Sequence, residues 1–380
     1  MSASSPPAAQ TRNAGLAVFA RLGSRPIPRV VRMMEEARGL GFDTLFLSGR
    51  REEGLADEEV YSGHNVRRIG PFFPLLNGRA GWLYLRSVLG YNHALWRQLR
   101  QLRPAIVHCS DIETMPAGIL YRRFSGARLI YNVHDNLAQR YTIPAWAQAV
   151  LAQVEGLAVR LSSIALVPEE FRRDMLPSWC RRKIAVVRNT PTDRGALPPN
   201  RQRKPIKLFF GGWLDKGRGL GQLLKLVREN EEFELTLAGE GSAELVAEIE
   251  ANPRTRYLGF VTHDEIMRET AKAHIVTALY DPVRPINRYA ASNKLSEALS
   301  CGRPALVNSE MVITGSLAEY DCLIAVPYSE INTAAVEQMR AAMADDGARY
   351  DAMCVRAREA FEARYAWKVA QNAMIAAIRG

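Results

Sequence analysis

The chain has 380 residues, 47% of them hydrophobic, and a formal net charge of +10. This length is too great for one ordinary core and suits two domains, and the apolar content and charge are those of a soluble globular protein. No apolar run approaches the roughly 20 residues that a membrane-spanning helix needs. Residues 1–200 carry a charge balance of +11 and residues 201–380 a balance of −1. We therefore expect an anionic partner for the first half, nucleic acid or membrane lipid, unless the arginines only keep the surface soluble.

The N-terminal residues and the cysteines indicate the cellular compartment. Residues 1–14 begin MSASSPPAAQ, lack the apolar core of a signal peptide and are predicted to be a disordered lead-in. The five cysteines are odd in number, scattered and without CxxC pairs. This arrangement predicts a reducing cytosol and argues against a structural zinc site.

The first domain opens with a strand, a helix and a strand, which we predict at residues 15–19, 28–39 and 43–47. The helix is amphipathic, with Val31, Met34 and Ala37 facing inward. This order is typical of a doubly wound α/β domain. Arg25 and Arg29, in the loop and at the helix start, are expected either to meet a phosphate or to be solvated.

Residues 66–110 contain no acidic residue and seven arginines: Arg67, Arg68, Arg79, Arg86, Arg97, Arg100 and Arg103. Helical spacing within 80–102 aligns an apolar stripe of Trp82, Leu85, Leu89, Trp96 and Leu99. Basic residues beside aromatic ones favour an anionic membrane surface by roughly 1 kcal/mol each. The segment 66–103 is thus predicted to dock on a membrane, or its stripe is ordinary core. No recognised module supports a nucleic-acid partner.

Two further strands, predicted at 105–109 and 127–133, end in polar residues that include Asp111 and His134. Ligands collect at the carboxyl ends of parallel strands, although a histidine there is by itself more often structural. We predict further helices at 115–124, 145–161 and 169–176, and strands at 164–167 and 184–187. Residues 191–205 are rich in proline and charge and predict an interdomain linker.

The second half begins with a strand at 206–210, followed by the loop GGWLDKGRGL at 211–220. Its glycines, Gly212 among them, let backbone N–H groups approach an anion, while Lys216 and Arg218 supply positive charge. The loop is not a Walker motif, because the GKS/T ending is absent. Strands are then predicted at 233–237, 256–260 and 275–279, with a helix at 265–273.

The stretch NRYAASNKLSEALSCGRPALVN, residues 287–308, predicts a helix followed by a strand at 305–307. Ser292 or Asn293 is predicted to be its N-cap. A helix N-terminus beside Lys294 is suited to phosphate binding, and Glu297, one turn later, suits ribose hydroxyls. The alternative is a capped surface helix with Glu297 solvated. Helices at 334–343 and 348–361 and a last one from Tyr365 complete the chain.

These motifs resemble glycosyltransferase family 4 (glycosyltransferase group 1), the retaining enzymes of GT-B fold. The stretch 287–308 is similar to the family's RYxxPNKxxEYxxxGxPV, the loop at 211–220 to GSLSKGRGL, and PAIVHCSD…ARLIYNVHD to PDVVHxHD…xLVYDxHE. The resemblance covers about 15–380 and is strongest in 104–136 and 205–308. It implies an α/β fold of two Rossmann-like domains facing each other across a cleft. These are an acceptor-binding domain at 15–190, a nucleotide-sugar-binding domain at 206–362, and a C-terminal segment, 363–380, whose helix returns to the first domain.

The resemblance also implies roles for individual residues. His134, Arg218 and Lys294 would be catalytic, with Arg218 on the donor phosphate and His134 at the donor sugar. The implied nucleotide-sugar-binding residues are Gly212, Lys216, Val261, Ser292, Asn293 and Glu297. Asp111 and Arg25 would line the acceptor side. Tyr289 stands where many members carry a second glutamate, which leaves the contact to the sugar ring open.

The expected activity is a retaining, hexosyltransferase-type transfer from a UDP-, GDP- or dTDP-sugar to a glycan or polyprenyl-phosphate-linked acceptor, in bacterial surface polysaccharide or glycolipid synthesis. Neither a metal nor another cofactor is expected, nor a nucleic-acid partner. We expect a cytoplasmic protein, peripheral on the inner face of the cytoplasmic membrane. The alternatives are a nucleotide-sugar epimerase of GT-B fold and a non-catalytic component that binds nucleotide sugar or membrane.

Overall fold

A computed structural model describes residues 14–73, 81–193, 195, 197–202 and 204–380. Most of the predicted lead-in, part of the segment 66–103 with Arg79, and three linker positions lie outside the described residues. The chain forms two compact units: residues up to 138, 146–187 and 372–380, and residues 139–145 and 188–371. Each unit contains one mainly parallel sheet with helices, which confirms the predicted α/β class.

The sheet of the first unit has the strand order β3-β4-β2-β1-β5-β6-β7-β8. All neighbours are parallel except β3 and β4. Its strands are β1 Gly15–Arg21, β2 Phe42–Arg50, β3 Glu58–Tyr61, β4 His64–Phe72, β5 Ile106–Ser110, β6 Arg128–Asn132, β7 Ile164–Val167 and β8 Ile184–Val186. The helices between them are α1 Pro28–Gly39, α2 Gly81–Leu102, α3 Met115–Ser125, α4 Ala145–Leu161 and α5 Glu170–Asp174.

The central strands are continuous apolar runs because a parallel sheet is covered on both faces. α1 starts with Pro28 at its first helical position, where a missing N–H group costs nothing. Met34 and Ala37 are buried as predicted, but Val31 is only half-buried and Val30 lies inward instead. The buried face of α1 is thus rotated slightly from the predicted one. Val30 and Val31 are adjacent and both apolar, so the sequence alone does not decide which of them faces inward.

The hairpin of β3 and β4 was not expected. Ser62 and Gly63 connect its strands with φ angles of 49° and 75°, the left-handed pair that a two-residue hairpin turn of type I′ needs. β3 is an exposed edge strand with two consecutive glutamates, Glu58 and Glu59. It therefore lacks the apolar alternation by which a strand is recognised in a sequence.

α2 buries Leu99 of the predicted stripe, but the rest of its inward face is made of other residues. Its inward residues are Ser87, Tyr91, Asn92, Leu95 and Leu99. Trp82, Leu85 and Leu89 are instead 71%, 47% and 60% exposed. Of the two alternatives for this segment, an ordinary core stripe is therefore wrong for the first half of α2. Within the described ranges, no helix combines the length and apolarity required to cross a membrane.

The sheet of the second unit has the order β11-β10-β9-β12-β13-β14, with every neighbouring pair parallel. Its strands are β9 Ile206–Gly211, β10 Phe233–Ala238, β11 Thr255–Tyr257, β12 Ile275–Ala278, β13 Ala305–Asn308 and β14 Leu323–Val326. The remaining helices are α6 Leu220–Glu229, α7 Ala243–Glu250, α8 His263–Lys272, α9 Pro285–Arg288, α10 Asn293–Ser300, α11 Val312–Leu317, α12 Ala334–Met343, α13 Ala348–Ala360 and α14 Trp367–Arg379.

The end of β11 differs from the prediction, and the last turns of α14 leave the second unit. The strand predicted at 256–260 stops at Tyr257, because Gly259 turns the chain with a φ of 67° and its carbonyl accepts the N–H of Gly239 at 2.8 Å. At the C-terminus, residues 372–380 belong to the first unit, where Arg128 Nη2 donates to the carbonyl of Ala376 at 3.2 Å. The last turns of α14 thus belong to the first unit.

Candidate functional site

The predicted nucleotide-binding residues meet at one edge of the second sheet. From β9 the chain moves to β10 and β11 on one side, and it later fills β12, β13 and β14 on the other. The loops after β9 and β12 therefore diverge, and open α/β sheets bind ligands in the crevice at such a switch point. Gly212, Lys216 and Arg218 lie on the first loop, and α10, with Lys294 and Glu297, follows the second.

Glycines bring the loops at this edge into backbone contact. Gly212 has a φ of 132° and Gly239 a φ of 140°, values that side-chain-bearing residues rarely adopt. A Cβ placed on Gly239 would lie 1.8 Å from the carbonyl oxygen of Gly212. Beyond them, Asp215 Oδ1 accepts the N–H of Gly217 at 2.8 Å and shapes the short turn that carries Lys216 and Arg218.

The two predicted cations converge on one aromatic ring. The guanidinium carbon of Arg218 lies 4.5 Å from the centroid of Tyr280, and Nζ of Lys294 lies 5.2 Å from the same centroid. Lys294 Nζ also lies 4.8 Å from the ring of Phe210. Burial by itself would raise the pKa of the Tyr280 phenol, but Lys294 and Arg218 lower it overall. The field at this point therefore stabilises negative charge.

The start of α10 differs from the predicted cap. Ser292 occupies the N-cap position, but its side chain accepts no hydrogen bond from the helix. Instead its Oγ accepts the hydroxyl hydrogen of Tyr280 at 3.0 Å. The N-cap prediction is therefore correct in position and wrong in bonding, because a tertiary contact competes for the serine oxygen. The first N–H groups of α10 receive no cap from Ser292, and a helix start of this kind suits an anion. Asn293, the first helical residue, is exposed.

Glu297 lies on the same helix, next to a histidine. Its Oε1 is 3.7 Å from Nδ1 of His263, the first residue of α8. Burial raises the pKa of Glu297, while His263 and Lys294 act in the opposite direction. Val261 is half-buried and immediately precedes the capping box of α8. The expectation that Glu297 is simply solvated is wrong, since its side chain is 12% exposed.

In the first unit, Asp111 and His134 lie together at the carboxyl ends of β5 and β6. Asp111 Oδ1 accepts the backbone N–H of His134 at 3.2 Å, and the ring Nε2 of His134 lies 3.2 Å from Nδ2 of Asn132. Asp111 has a φ of 64°, an uncommon value outside glycine that aspartate tolerates better than most residues. The structure therefore brings these two predicted residues into one cluster.

The two arginines of the loop after β1 have different environments. Arg25 is exposed, donates through Nε to Glu59 Oε1 at 3.2 Å and lies 5.3 Å from the ring of Tyr61. The hydrogen bond to Glu59 raises the pKa of Arg25 further. Arg29 is only 6% exposed. The expectation that Arg29 is solvated is wrong, because the first turn of α1 packs inward, with Val30 buried as well.

Sequence reasoning missed Tyr280, Phe210 and His263 as parts of the site. Tyr280 and Phe210 are apolar enough to be taken for core residues, and their role depends on cations distant in sequence. The only available signal was that Tyr280 stands just beyond the end of a strand. In the described part of the chain, no three His, Cys, Asp or Glu side chains are grouped as a metal site would require.

Comparisons with known families match both halves of the chain. A family described as "Glycosyl transferase 4-like domain" matches residues 26–190, and one described as "Glycosyl transferase-like" matches residues 218–375. Between them they cover most of the sequence. No curated protein sequence matches at a significant level.

Similar solved structures span nearly the whole chain. Sucrose-phosphate synthase from Thermosynechococcus elongatus has a TM-score of 0.76 at 14% identity, over 94% of this chain and 96% of that one. HepE of Anabaena, solved with UDP and glucose, has a TM-score of 0.69 at 12% identity, over 94% and 97%. The lipopolysaccharide outer core galactosyltransferase WaaB has a TM-score of 0.63 at 13% identity, over 96% and 98%. These likenesses confirm the predicted GT-B fold.

Proposed function

The chain belongs to the family 4-type glycosyltransferases of GT-B fold, and on that basis we propose that it moves a sugar from a nucleoside diphosphate sugar to an acceptor with retention of configuration. The observation that carries this proposal is the placement of Arg218 and Lys294 on the ring of Tyr280 at the switch point of the second sheet. HepE, a structural neighbour, was solved with UDP-glucose, which supports a nucleotide-sugar donor.

Breaking the glycosyl–phosphate bond leaves negative charge on the diphosphate and an oxocarbenium-like sugar. Arg218, Lys294 and the N–H groups at the start of α10 stabilise that developing charge, so the reaction needs no metal ion. Glu297 accepts hydrogen bonds from the ribose, and the backbone at Val261 meets the base of a UDP-, GDP- or dTDP-sugar. Lys216 adds positive charge at the edge of the same site.

The first unit supplies the acceptor side. His134 contacts the donor sugar. Asp111 lies beside His134, because its carboxylate accepts the backbone N–H of that residue. In the retaining route that the family implies, the leaving phosphate takes the proton of the acceptor hydroxyl as the new bond forms. Arg25, in the loop after β1 and hydrogen-bonded to Glu59 of β3, is the other proposed acceptor-side residue.

The acceptor is a glycan or a polyprenyl-phosphate-linked sugar, handled in the cytoplasm at the inner face of the cytoplasmic membrane during surface polysaccharide synthesis. The support is the first half of α2, where Trp82, Leu83, Leu85 and Leu89 are exposed beside exposed Arg86. Apolar and basic side chains on one helix suit an anionic lipid surface.

The test is a panel of UDP-, GDP- and dTDP-sugars, incubated with the protein and glycan or lipid acceptors. We expect one donor to release its nucleotide only when an acceptor is present, and NMR to show that the transferred sugar keeps its anomeric configuration. Inversion would contradict the retaining proposal. Interconversion of the donor sugar without an acceptor would indicate an epimerase, and binding without nucleotide release under any condition would indicate a non-catalytic protein.

A further inference from the structure

A second switch point exists in the first sheet, between β1 and β5. From β1 the chain continues to β2 on one side, and it later enters β5 on the other. The loops after β1 and β5 therefore diverge at an edge where open α/β sheets bind ligands. Near this edge, Arg29 on the first turn of α1 is close enough to His108 on β5 for its charge to act on the imidazole ring. Burial, His134 and Arg29 together lower the pKa of His108 to about 3, which keeps its ring neutral.

Arg29 is a buried cation without a hydrogen bond. Its side chain nitrogens Nε, Nη1 and Nη2 have no partner among the described residues, although the residue is 6% exposed. Burial lowers the pKa of Arg29 to about 9, while Asp111 and Glu169 attract the charge through space without accepting a hydrogen bond from it. The guanidinium is thus charged at neutral pH, and burying a charge without hydrogen bonds destabilises the folded chain.

Further buried polar groups, on β5 and in the loop after β1, also lack hydrogen-bond partners among the described residues. Both ring nitrogens of His108 and the hydroxyl of Ser110 lack hydrogen-bond partners in the described structure, and both residues are at most 1% exposed. The hydroxyl of Ser24, in the loop after β1, is in the same condition. Folded proteins pair the large majority of their buried polar atoms. Several buried polar groups without partners at one edge of the sheet therefore indicate a ligand-binding site.

We propose that Arg29, together with His108 and Ser110, binds an oxyanion carried by the sugar acceptor, either a phosphate or a carboxylate group. The planar fork of a guanidinium matches two oxygens of such a group. Asp111 and Glu169 repel a bare anion but accept hydroxyl hydrogens, so the site selects an anionic sugar over an inorganic ion. That this anionic sugar is the acceptor rests on the proposed function, whereas its binding at Arg29 does not.

Isothermal titration of the full chain, in a buffer free of oxyanions, tests this assignment. Glucose 6-phosphate represents the phosphate source, glucuronate the carboxylate source, and methyl glucoside is the neutral control. We expect saturable binding of one anionic sugar to the wild type and to Arg218→Ala. Affinity should be at least about tenfold lower in Arg29→Met, since hydrogen bonds to charged groups contribute this much, and partly restored in Arg29→Lys.

The proposal would be overturned by no binding of either anionic sugar, by equal binding to Arg29→Met, or by loss of binding in Arg218→Ala alone, which would place the anion in the second unit. Without ligand, Arg29→Met should unfold at the wild-type temperature or above, because it removes an idle buried charge. A fall of many degrees would instead identify Arg29 as a structural ion-pair partner and would also refute the proposal. Failure of the proposed function looks different, because nucleotide release would be absent while Arg29-dependent binding persists.

Discussion

At the residue scale, the phenol of Tyr280 controls what the start of α10 offers to a ligand. The hydroxyl of Tyr280 donates a hydrogen bond to Ser292 Oγ, and this oxygen does not cap the N–H groups of the helix. The ring remains in place to hold Arg218 and Lys294. Tyr280 is therefore a positioning residue, whose hydroxyl and ring have separable effects on phosphate binding.

We expect Tyr280→Phe to weaken binding of the nucleoside diphosphate by about 3- to 10-fold, because a freed Ser292 caps α10 at a gain of about 1 kcal/mol and competes with the phosphate. Ser292→Ala in the same background removes the competitor and should restore binding, as measured by isothermal titration. If the double variant binds no better than Tyr280→Phe, the hydroxyl acts by some other route.

The carboxylate of Glu297 is predicted to link nucleotide affinity to pH. Its pKa is raised by burial, so affinity for an intact nucleotide sugar should fall as pH decreases through that raised value and the carboxylate gains a proton. At pH values above that raised pKa, Glu297→Gln should bind about tenfold more weakly and should lose this pH dependence, because a charged acceptor is replaced by a neutral one.

The raised pKa of Glu297 also predicts that the folded chain loses stability as pH rises, whereas nucleotide affinity increases. A carboxyl group whose pKa is raised by folding makes the folded state less stable as pH rises through the unfolded and then the folded value. Glu297→Gln removes this loss, so thermal unfolding near neutral pH should occur at a higher temperature than in the wild type. An unchanged unfolding temperature together with unchanged nucleotide affinity would show that the charge of Glu297 does not destabilise the fold and that its side chain does not contact the ligand.

At the scale of elements, the close approach of the loops after β9 and β10 depends on glycine. Gly239→Ala places a Cβ against the carbonyl oxygen of Gly212 in a backbone conformation that alanine rarely adopts. We expect the free energy of unfolding to fall by at least about 1–3 kcal/mol. Gly221→Ala is the matched control, since this helical glycine has open space around it, and the change should be neutral or stabilising by about 1 kcal/mol. Equal unfolding temperatures for both variants would contradict this account.

The first half of α2 is the element that the membrane proposal depends on. Replacing Trp82 and Leu89 by serine removes two exposed apolar side chains and should lower co-sedimentation with vesicles rich in anionic lipid, without lowering the unfolding temperature. Val355→Ser, at a position 57% exposed in the second unit, is the control and should sediment like the wild type. Recovery of all three proteins in the supernatant would remove the membrane from the proposed function.

Most elements of the two sheets were predictable because parallel strands are buried on both faces and read as apolar runs, as in β1 and β9. The hairpin β3–β4 was not, since an exposed edge strand carries no such run. The sequence motifs predicted the positions of Arg218, Lys294 and Glu297 by resemblance. They did not predict Tyr280, the bonding of Ser292 or the burial of Arg29, because each depends on residues that only folding brings together.

At the scale of the whole molecule, we propose that side chains from two separate stretches of the chain hold one anionic group, the diphosphate. Arg218 comes from the loop after β9 and Lys294 from α10, and Tyr280 connects them. If both contact the same diphosphate, their contributions are coupled rather than independent. Exposed Arg228 on α6 carries the same charge outside the site and provides a matched control.

The most direct test is a titration of UDP, GDP and dTDP into the wild type, Arg218→Ala, Lys294→Ala, the double variant and Arg228→Ala, followed by turnover with the best donor. We expect one nucleotide to bind the wild type and Arg228→Ala equally and each site variant at least about tenfold more weakly. Turnover of Arg218→Ala should fall at least as far as its binding, by about 100-fold or more, since the diphosphate carries more negative charge in the transition state than in the bound donor. Undiminished binding and turnover in the double variant would contradict the central claim.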